Sequence, residues 1–132
     1  MRVVVHVDGG ARGNPGPAAV GAVIATTAGE VLEEAQATIG RATNNVAEYR
    51  ALLLGLERAR ELGASAVEVV NDSELVARQV CGDYKVKHEA LKPLYTAARR
   101  ALEGFEDWSI RSVPRAQNAR ADELVNAALD AE

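Results

Sequence analysis

Runs of apolar residues predict three strands at the start of the chain. Residues 2–8 form a continuous run of mostly β-branched residues, which is typical of a buried strand. Residues 19–27 and 30–39 have the same character, and only the short turn Ala28-Gly29 separates them. Such a short turn between two strands predicts an antiparallel hairpin.

Helical periodicity begins in the middle of the chain. Apolar residues recur at three- and four-residue spacing over 45–62, and Gly63 ends that helix. The remaining predicted elements are a strand at 66–71, a helix at 73–80, a helix at 89–102, a strand at 107–113, a loop at 114–119 and a helix at 120–131. Pro93 is tolerated only near the start of its helix or at a break between two pieces. This order predicts an α/β fold, with a mixed sheet and helices on both faces.

The composition is that of an ordinary globular protein. With 132 residues, 48% of them hydrophobic and 26% charged, the chain is predicted to form one domain over 1–132. No run approaches the roughly 20 apolar residues of a membrane span, and the apolar start is too short for a signal peptide. Cys81 has no second cysteine to pair with. We therefore expect a cytoplasmic monomer without a membrane partner.

The charge is unevenly distributed. The net charge of −4 argues against nonspecific binding of polyanions, but residues 83–120 carry eight Lys and Arg against five Asp and Glu. A locally basic face of this kind would steer a phosphate backbone towards the protein. An ordinary solvated surface explains the same excess.

Four acidic residues stand where predicted elements begin or end: Asp8, Glu48, Asp72 and Asp122. Asp8 and Asp72 close two apolar runs, so they would emerge about 5 Å apart if those strands are parallel neighbours. Glu48 and Asp122 lie near the starts of helices. Carboxylates that converge in this way repel one another and suit divalent cations, which prefer oxygen ligands.

Simpler interpretations exist for most of these acids. Asn45 and Glu48 match a helix capping box, and either Asp72 or Ser73 would cap the helix that follows. Asp122 and Glu123 would be first-turn acids favoured by the helix dipole. Asp8 is the hardest to explain this way, because it would leave a charge near the core. The four acids together favour a metal site.

Two polar segments accompany the acids. Residues 9–17, GGARGNPGP, are predicted to form a glycine-rich loop whose peptide groups approach a ligand closely. Thr43, Asn44 and Asn45 place a hydroxyl and two amides at a helix N-terminus, which suits a phosphate, a sugar hydroxyl or a base edge. Helix capping alone would need only one of these three residues.

Four segments together resemble the type 1 ribonuclease H family: DGGARGNPGPAAVGAVI, ATNNVAEYRALLLGL, VVNDSELVARQVCGDYKVK and VPRAQNARADELVNAAL. The resemblance implies a ribonuclease H-like five-stranded mixed sheet in the order 3-2-1-4-5, with strands 1–3 antiparallel. It implies hydrolysis of the RNA strand of RNA–DNA hybrids to 5′-phosphate and 3′-hydroxyl ends, by in-line attack of water. It also implies two Mg²⁺ ions, for which Mn²⁺ would substitute.

The resemblance also implies roles for individual residues. The catalytic, metal-binding carboxylates would be those of Asp8, Glu48, Asp72 and Asp122. The substrate would be contacted by the amides of Asn14, Asn44 and Asn45, by Thr43 at a DNA phosphate, and by the peptide groups of Gly9 and Gly10 at RNA 2′-hydroxyls.

The chain departs from the family pattern at several positions. Many members carry a histidine in the loop before the last acid, whereas this loop has Arg115, which cannot act as a base and would act through its charge. Glu74 stands where some relatives have a substrate-facing glutamine, although an ionised carboxylate donates no hydrogen bond. The basic protrusion of some members is shortened here, so Tyr84, Lys85 and Lys87 would supply a reduced contact to the DNA strand.

Two other functions fit part of the pattern. An actin-like nucleotide-binding phosphotransferase also uses a strand-ending Asp and a glycine loop, but it needs a second phosphate loop and an adenosine site. A catalytically silent hybrid-binding module would be expected to have lost a carboxylate, and this chain has all four.

Overall fold

A single five-stranded sheet organises the chain, and the computed structural model describes all of residues 1–132. The strands are β1 (Arg2–Ala11), β2 (Gly16–Thr26), β3 (Val31–Ala42), β4 (Ala66–Asn71) and β5 (Asp107–Ser112). The α-helices are α1 (Asn44–Glu61), α2 (Glu74–Cys81), α3 (Lys92–Glu103) and α4 (Ala119–Asp130).

The order of strands across the sheet is β3-β2-β1-β4-β5. β2 pairs antiparallel with both β1 and β3, whereas β4 lies parallel to β1 and to β5. The predicted mixed sheet and its strand order are therefore confirmed. Parallel pairing of β1 and β4 requires a crossover, and α1 supplies it.

The main core lies on the face of the sheet that α1, α2 and α3 cover. Alternate residues of β1, namely Val3, Val5 and Val7, point into it and are at most 2% exposed. α4 packs on the opposite face, where Ala19 of β2 meets an apolar cluster on the helix. No helix is both long and apolar enough to cross a membrane.

The predicted glycine-rich loop over residues 9–17 is wrong in its extent. β1 continues to Ala11 and β2 begins at Gly16, so only residues 12–15 connect them. Gly9 and Gly10 pair with Val20 and Ala19 across the antiparallel ladder. Glycine weakens a strand but does not end it when neighbouring backbone groups satisfy its hydrogen bonds and a close approach requires it.

Two further boundaries differ from the prediction. Residues 114–119 contain a 3₁₀ helix, Arg115–Asn118, and α4 follows it directly from Ala119. Pro93 lies in the first turn of α3, after a separate 3₁₀ turn at Glu89–Leu91. That break confirms the expected position of the proline.

Candidate active site

Asp8 and Asp72 emerge at the same edge of the sheet because β1 and β4 run side by side. The last parallel pair is His6 with Val70, and each aspartate lies two residues beyond it. The expectation that these strands are parallel neighbours is confirmed. The expectation that Asp8 ends its strand is wrong, because β1 continues alongside β2 and Asp8 pairs with Gly21.

Glu48 reaches this edge because the first turn of α1 lies directly against β1. A side chain at Gly9 would overlap the carbonyl group of Ala47, so only glycine allows the helix this close. Asp8, Glu48 and Asp72 consequently line one cavity at the end of the sheet.

Asp122 approaches from the other face of the sheet, in the first turn of α4. Asp8, Glu48 and Asp122 line a cleft of about 300 Å³ together with Arg115. The structure therefore brings the other three predicted acids, Glu48, Asp72 and Asp122, to the surroundings of Asp8.

The crowding of carboxylates raises the pKa of Asp8. Asp8 is only 6% exposed, and burial, followed by the neighbouring Asp72 and Asp122, raises its pKa to about 8. Burial likewise raises the pKa of Glu48, although a hydrogen bond with Ser73 opposes that shift. In the absence of a cation, the site therefore favours a protonated Asp8 at neutral pH.

Arg115 lies over the acids from the solvent side. Its Nε is 3.4 Å from Oδ2 of Asp72, and 75% of the Arg115 side chain is exposed. Asp122, Asp72 and Asp8 raise the pKa of the guanidinium, in that order of effect. The arrangement keeps one positive charge at the mouth of an acidic cleft.

The donors at this site fit a divalent cation by their chemistry. Asp8 lines one cavity with Asp72 and one cleft with Asp122, and the oxygen atoms of three carboxylates suit magnesium or manganese. A cation would also relieve the repulsion that raises the pKa of Asp8. In this side-chain conformation, no group of three or more Asp, Glu, His or Cys residues is arranged to bind a metal ion.

The predicted amide and hydroxyl residues join α1 to the β1–β2 connection. Thr43 caps α1, because its Oγ1 accepts a hydrogen bond of 3.3 Å from the backbone N–H of Val46. The alternative of Asn45 as the cap is wrong, and its side chain is exposed. Asn44 accepts a bond of 2.9 Å from the N–H of Ala11 and donates its own N–H to Asn14 Oδ1 at 3.0 Å.

The residues predicted to extend substrate binding lie apart from the acids. Glu74 forms an ion pair of 2.8 Å with Arg78, whose guanidinium stacks over the ring of Tyr84 at 5.5 Å. Tyr84 and Lys85 line a separate groove, and Lys87 is exposed nearby. The structure therefore does not bring these residues into the acidic cleft.

Two buried asparagines that the sequence analysis missed hold the aspartate-bearing segments. Asn71 Oδ1 accepts a hydrogen bond of 2.7 Å from the N–H of Ser73, and its Nδ2 donates to the carbonyl of Arg111 at 3.1 Å. Asn118 Nδ2 donates to the carbonyl of Val7 at 2.8 Å. An asparagine at the end of an apolar strand, as in VEVVND, was the available signal for the first of them.

Comparison with known proteins identifies relatives of this fold. A protein-family profile described as "Reverse transcriptase-like" matches residues 6–128. The "Bifunctional protein Rv2228c" of Mycobacterium tuberculosis is 51% identical over 132 residues, which is 99% of this chain and 36% of that protein. This chain thus spans about a third of the length of that relative.

Two solved structures closely match the whole architecture. The crystal structure of RNase H1 from the halophilic archaeon Halobacterium salinarum superposes with a TM-score of 0.98 at 48% identity and covers all of both chains. LC11-RNase H1 in complex with an RNA/DNA hybrid has a TM-score of 0.93 at 46% identity, covering 97% of this chain and 96% of that one.

Proposed function

This chain belongs to the type 1 ribonuclease H family, and from that membership we propose that it is a metal-dependent endonuclease of RNA–DNA hybrids. It would cut the RNA strand by in-line attack of water on phosphorus, releasing 3′-hydroxyl and 5′-phosphate ends. The observation that carries the proposal is that the buried Asp8 lines a cavity with Glu48 and Asp72 and also a cleft with Asp122.

The four carboxylates of Asp8, Glu48, Asp72 and Asp122 would hold two Mg²⁺ ions, with Mn²⁺ as a substitute. When bound, the ions would activate the attacking water and stabilise the leaving 3′ oxygen. The raised pKa values of Asp8 and Glu48 support this assignment, because both acids lie where an added positive charge is favourable.

Arg115 would act through its charge at the mouth of the cleft. Its guanidinium remains protonated at any pH that the enzyme tolerates, so it cannot accept a proton from water. Its exposed position and its contact with Asp72 support a role in stabilising the phosphate in the transition state or in helping the charged product to leave.

Recognition of the hybrid would use the polar residues around α1 and the edge of β1. The peptide groups of Gly9 and Gly10 would contact RNA 2′-hydroxyls, which distinguish RNA from DNA. Amides would contact the hybrid at Asn14, Asn44 and Asn45, and Thr43 would bind a DNA phosphate at the positive end of α1. The cleft lined by Asp8, Gly9, Gly10 and Asn44 supports this arrangement.

A second, more distant contact would be made to the DNA strand. Tyr84 and Lys85 line a groove of about 400 Å³, and Tyr84 is 46% exposed, which suits stacking and phosphate binding. Lys87 would add a further charge. The carboxylate of Glu74 pairs with Arg78, so a contact of Glu74 with the hybrid would have to break that ion pair. The chain would also act as a single domain, as a monomer and in the cytoplasm.

Cleavage of a labelled hybrid in the presence of Mg²⁺ tests the proposed function. The substrates are an RNA–DNA hybrid, RNA–RNA and DNA–DNA duplexes of the same sequence, and ATP. Asp72→Asn removes one proposed ligand, and Asp107→Asn makes the same charge change at an exposed ion pair with Arg2. We expect cleavage of the hybrid alone, lost in Asp72→Asn and retained in Asp107→Asn.

The other functions give different results in this experiment. A silent hybrid-binding module would retain the hybrid in a filter-binding assay without cutting it. An actin-like phosphotransferase would turn over ATP. Equal cleavage by Asp72→Asn and the unmodified protein would contradict the assignment of the site.

A further inference from the structure

Gly21 lies beside Asp8 in the sheet and faces the start of α4. It is the residue of β2 that pairs with Asp8 across the antiparallel ladder. A Cβ atom built at Gly21 would lie 2.8 Å from the carbonyl oxygen of Ala121 and 2.9 Å from Cβ of Leu124. Because ordinary contacts begin at about 3.4 Å, only glycine allows α4 to lie this close to β2.

The groups that face Gly21 cannot rotate away from an added side chain. One is the backbone carbonyl of Ala121, and the other is the first carbon of the Leu124 side chain. A methyl group at Gly21 would therefore displace the first turn of the helix by several tenths of an ångström. Asp122 follows Ala121 directly, so its carboxylate would move with that turn.

The close approach is local to this end of the helix. Further along α4, Val125, Ala128 and Leu129 pack against Ala19 of β2 as an ordinary apolar cluster. A Cβ at Gly10, which also faces α4, would meet Val125 only at 3.8 Å, an ordinary contact distance. The space is therefore restricted at Gly21, beside Asp8, and it is not restricted at Gly10.

We propose that Gly21 is a positioning residue, which sets the separation between the carboxylates of Asp8 and Asp122 by admitting α4 to contact with β2. The inference rests on the proposed function for its catalytic consequence. Gly21 itself would touch neither substrate nor metal and would act through the placement of Asp122. Displacement of a functional group by about 1 Å commonly costs on the order of 100-fold in rate.

The test compares Gly21→Ala with Ala128→Gly, which loosens the same helix at the end remote from Asp122. Both changes are expected to lower the melting temperature by roughly 4 °C or more. Hybrid turnover with saturating Mg²⁺ and Mn²⁺ affinity, measured by calorimetry without substrate, are the two readouts. We expect turnover to fall on the order of tenfold in Gly21→Ala, because the displacement is only a fraction of 1 Å. We expect Mn²⁺ binding to weaken about tenfold in the same variant. Ala128→Gly should change each by less than about twofold.

The Asp122→Glu substitution distinguishes a positioning role of Gly21 from a purely structural one. Its longer side chain should impair the unmodified protein but partly restore Mn²⁺ affinity and turnover in Gly21→Ala, because it spans the widened gap. Absence of that restoration, or equal losses in Gly21→Ala and Ala128→Gly, would overturn the inference.

The two proposals fail in different ways. An unmodified protein that binds Mn²⁺ but cuts no hybrid contradicts the proposed function, and the Mn²⁺ comparison then decides the role of Gly21. Efficient cleavage by Gly21→Ala contradicts the positioning role alone. If Gly21→Ala melts below the assay temperature, the comparison is made in the cold with trimethylamine N-oxide. A variant that remains unfolded there also overturns the inference, because glycine would then be required for folding.

Discussion

The side-chain amide of Asn118 donates a hydrogen bond of 2.8 Å to the carbonyl oxygen of Val7, the residue before Asp8. Asn118 is 2% exposed and immediately precedes α4, which carries Asp122. The bond therefore connects the segments that bear Asp8 and Asp122. This neutral, buried hydrogen bond holds the two segments together without any contribution from the charges of the acids.

Asn118→Ala should lower the free energy of unfolding by about 1–2 kcal/mol, because it leaves the Val7 carbonyl without its partner. Asn118 Oδ1 has no hydrogen-bond partner, so its removal offsets part of the cost. Urea denaturation with an unchanged m-value would measure the loss. The exposed neighbour Gln117→Ala should change stability by less than about 0.5 kcal/mol. Equal effects of the two changes would show that the buried bond contributes nothing.

Without divalent cations, the protein should become less stable as the pH rises from about 4 to about 8. Burial and nearby acids raise the pKa of folded Asp8 to about 8, against 3.8 for an ordinary aspartate. In this window the folded protein retains a proton that the unfolded chain has released. The free energy of unfolding therefore falls with pH, by at most about 1.4 kcal/mol per pH unit for one proton.

Urea denaturation in EDTA at about pH 5 and about pH 8 measures this loss of stability. Asp8→Asn should remove most of it, because the amide does not titrate. Asp107→Asn is the control, since Arg2 lowers the pKa of Asp107 and places its titration below the window. A fall of equal size in Asp8→Asn would assign the pH dependence to other groups.

Arg115→Gln should reduce hybrid turnover about tenfold, less than the loss of a buried transition-state donor, because water screens this exposed side chain. Arg115→Lys retains the charge and should keep most of the activity. The pH–rate profile should have the same shape in all three proteins, because arginine does not titrate in the accessible range. Loss of a limb of that profile in Arg115→Gln would instead indicate proton transfer at this position.

Thr43→Ala should lower the free energy of unfolding by about 1 kcal/mol, because α1 loses the side-chain acceptor for the N–H of Val46. Thr43→Ser retains the hydroxyl and should retain the stability. If Thr43 also binds a DNA phosphate, KM for the hybrid should rise in Thr43→Ala and remain near its original value in Thr43→Ser. Thermal unfolding and steady-state kinetics separate the two effects, and an unchanged KM in Thr43→Ala would exclude the phosphate contact.

The strand and helix assignments follow largely from local patterns. β4 matches its predicted range of 66–71, and the break at Pro93 was expected from the chemistry of proline. The predicted end of β1 was wrong, because two adjacent glycines, Gly9 and Gly10, are typical of a loop when only the local sequence is considered. Whether glycine ends a strand depends on partners such as Val20, which lie elsewhere in the chain.

The positions of the candidate acids in the sequence made them recognisable. The asparagines that hold these acids in place were not recognisable in the same way. Asp8 and Asp72 could be paired because parallel neighbouring strands end at one edge. The roles of Asn71 and Asn118 depend on carbonyl groups 40 and 111 residues away in sequence. No local pattern predicts bonds over such separations.

Taken alone, the order of residues determined the set of secondary-structure elements and the kind of chemistry available, because periodicity and side-chain type are local properties. The tertiary structure decided how closely Asp8, Glu48 and Asp122 approach one another. That spacing depends on backbone contacts at Gly9 and Gly21, where α1 and α4 meet the sheet from opposite faces. Such contacts exist only once the whole core has packed.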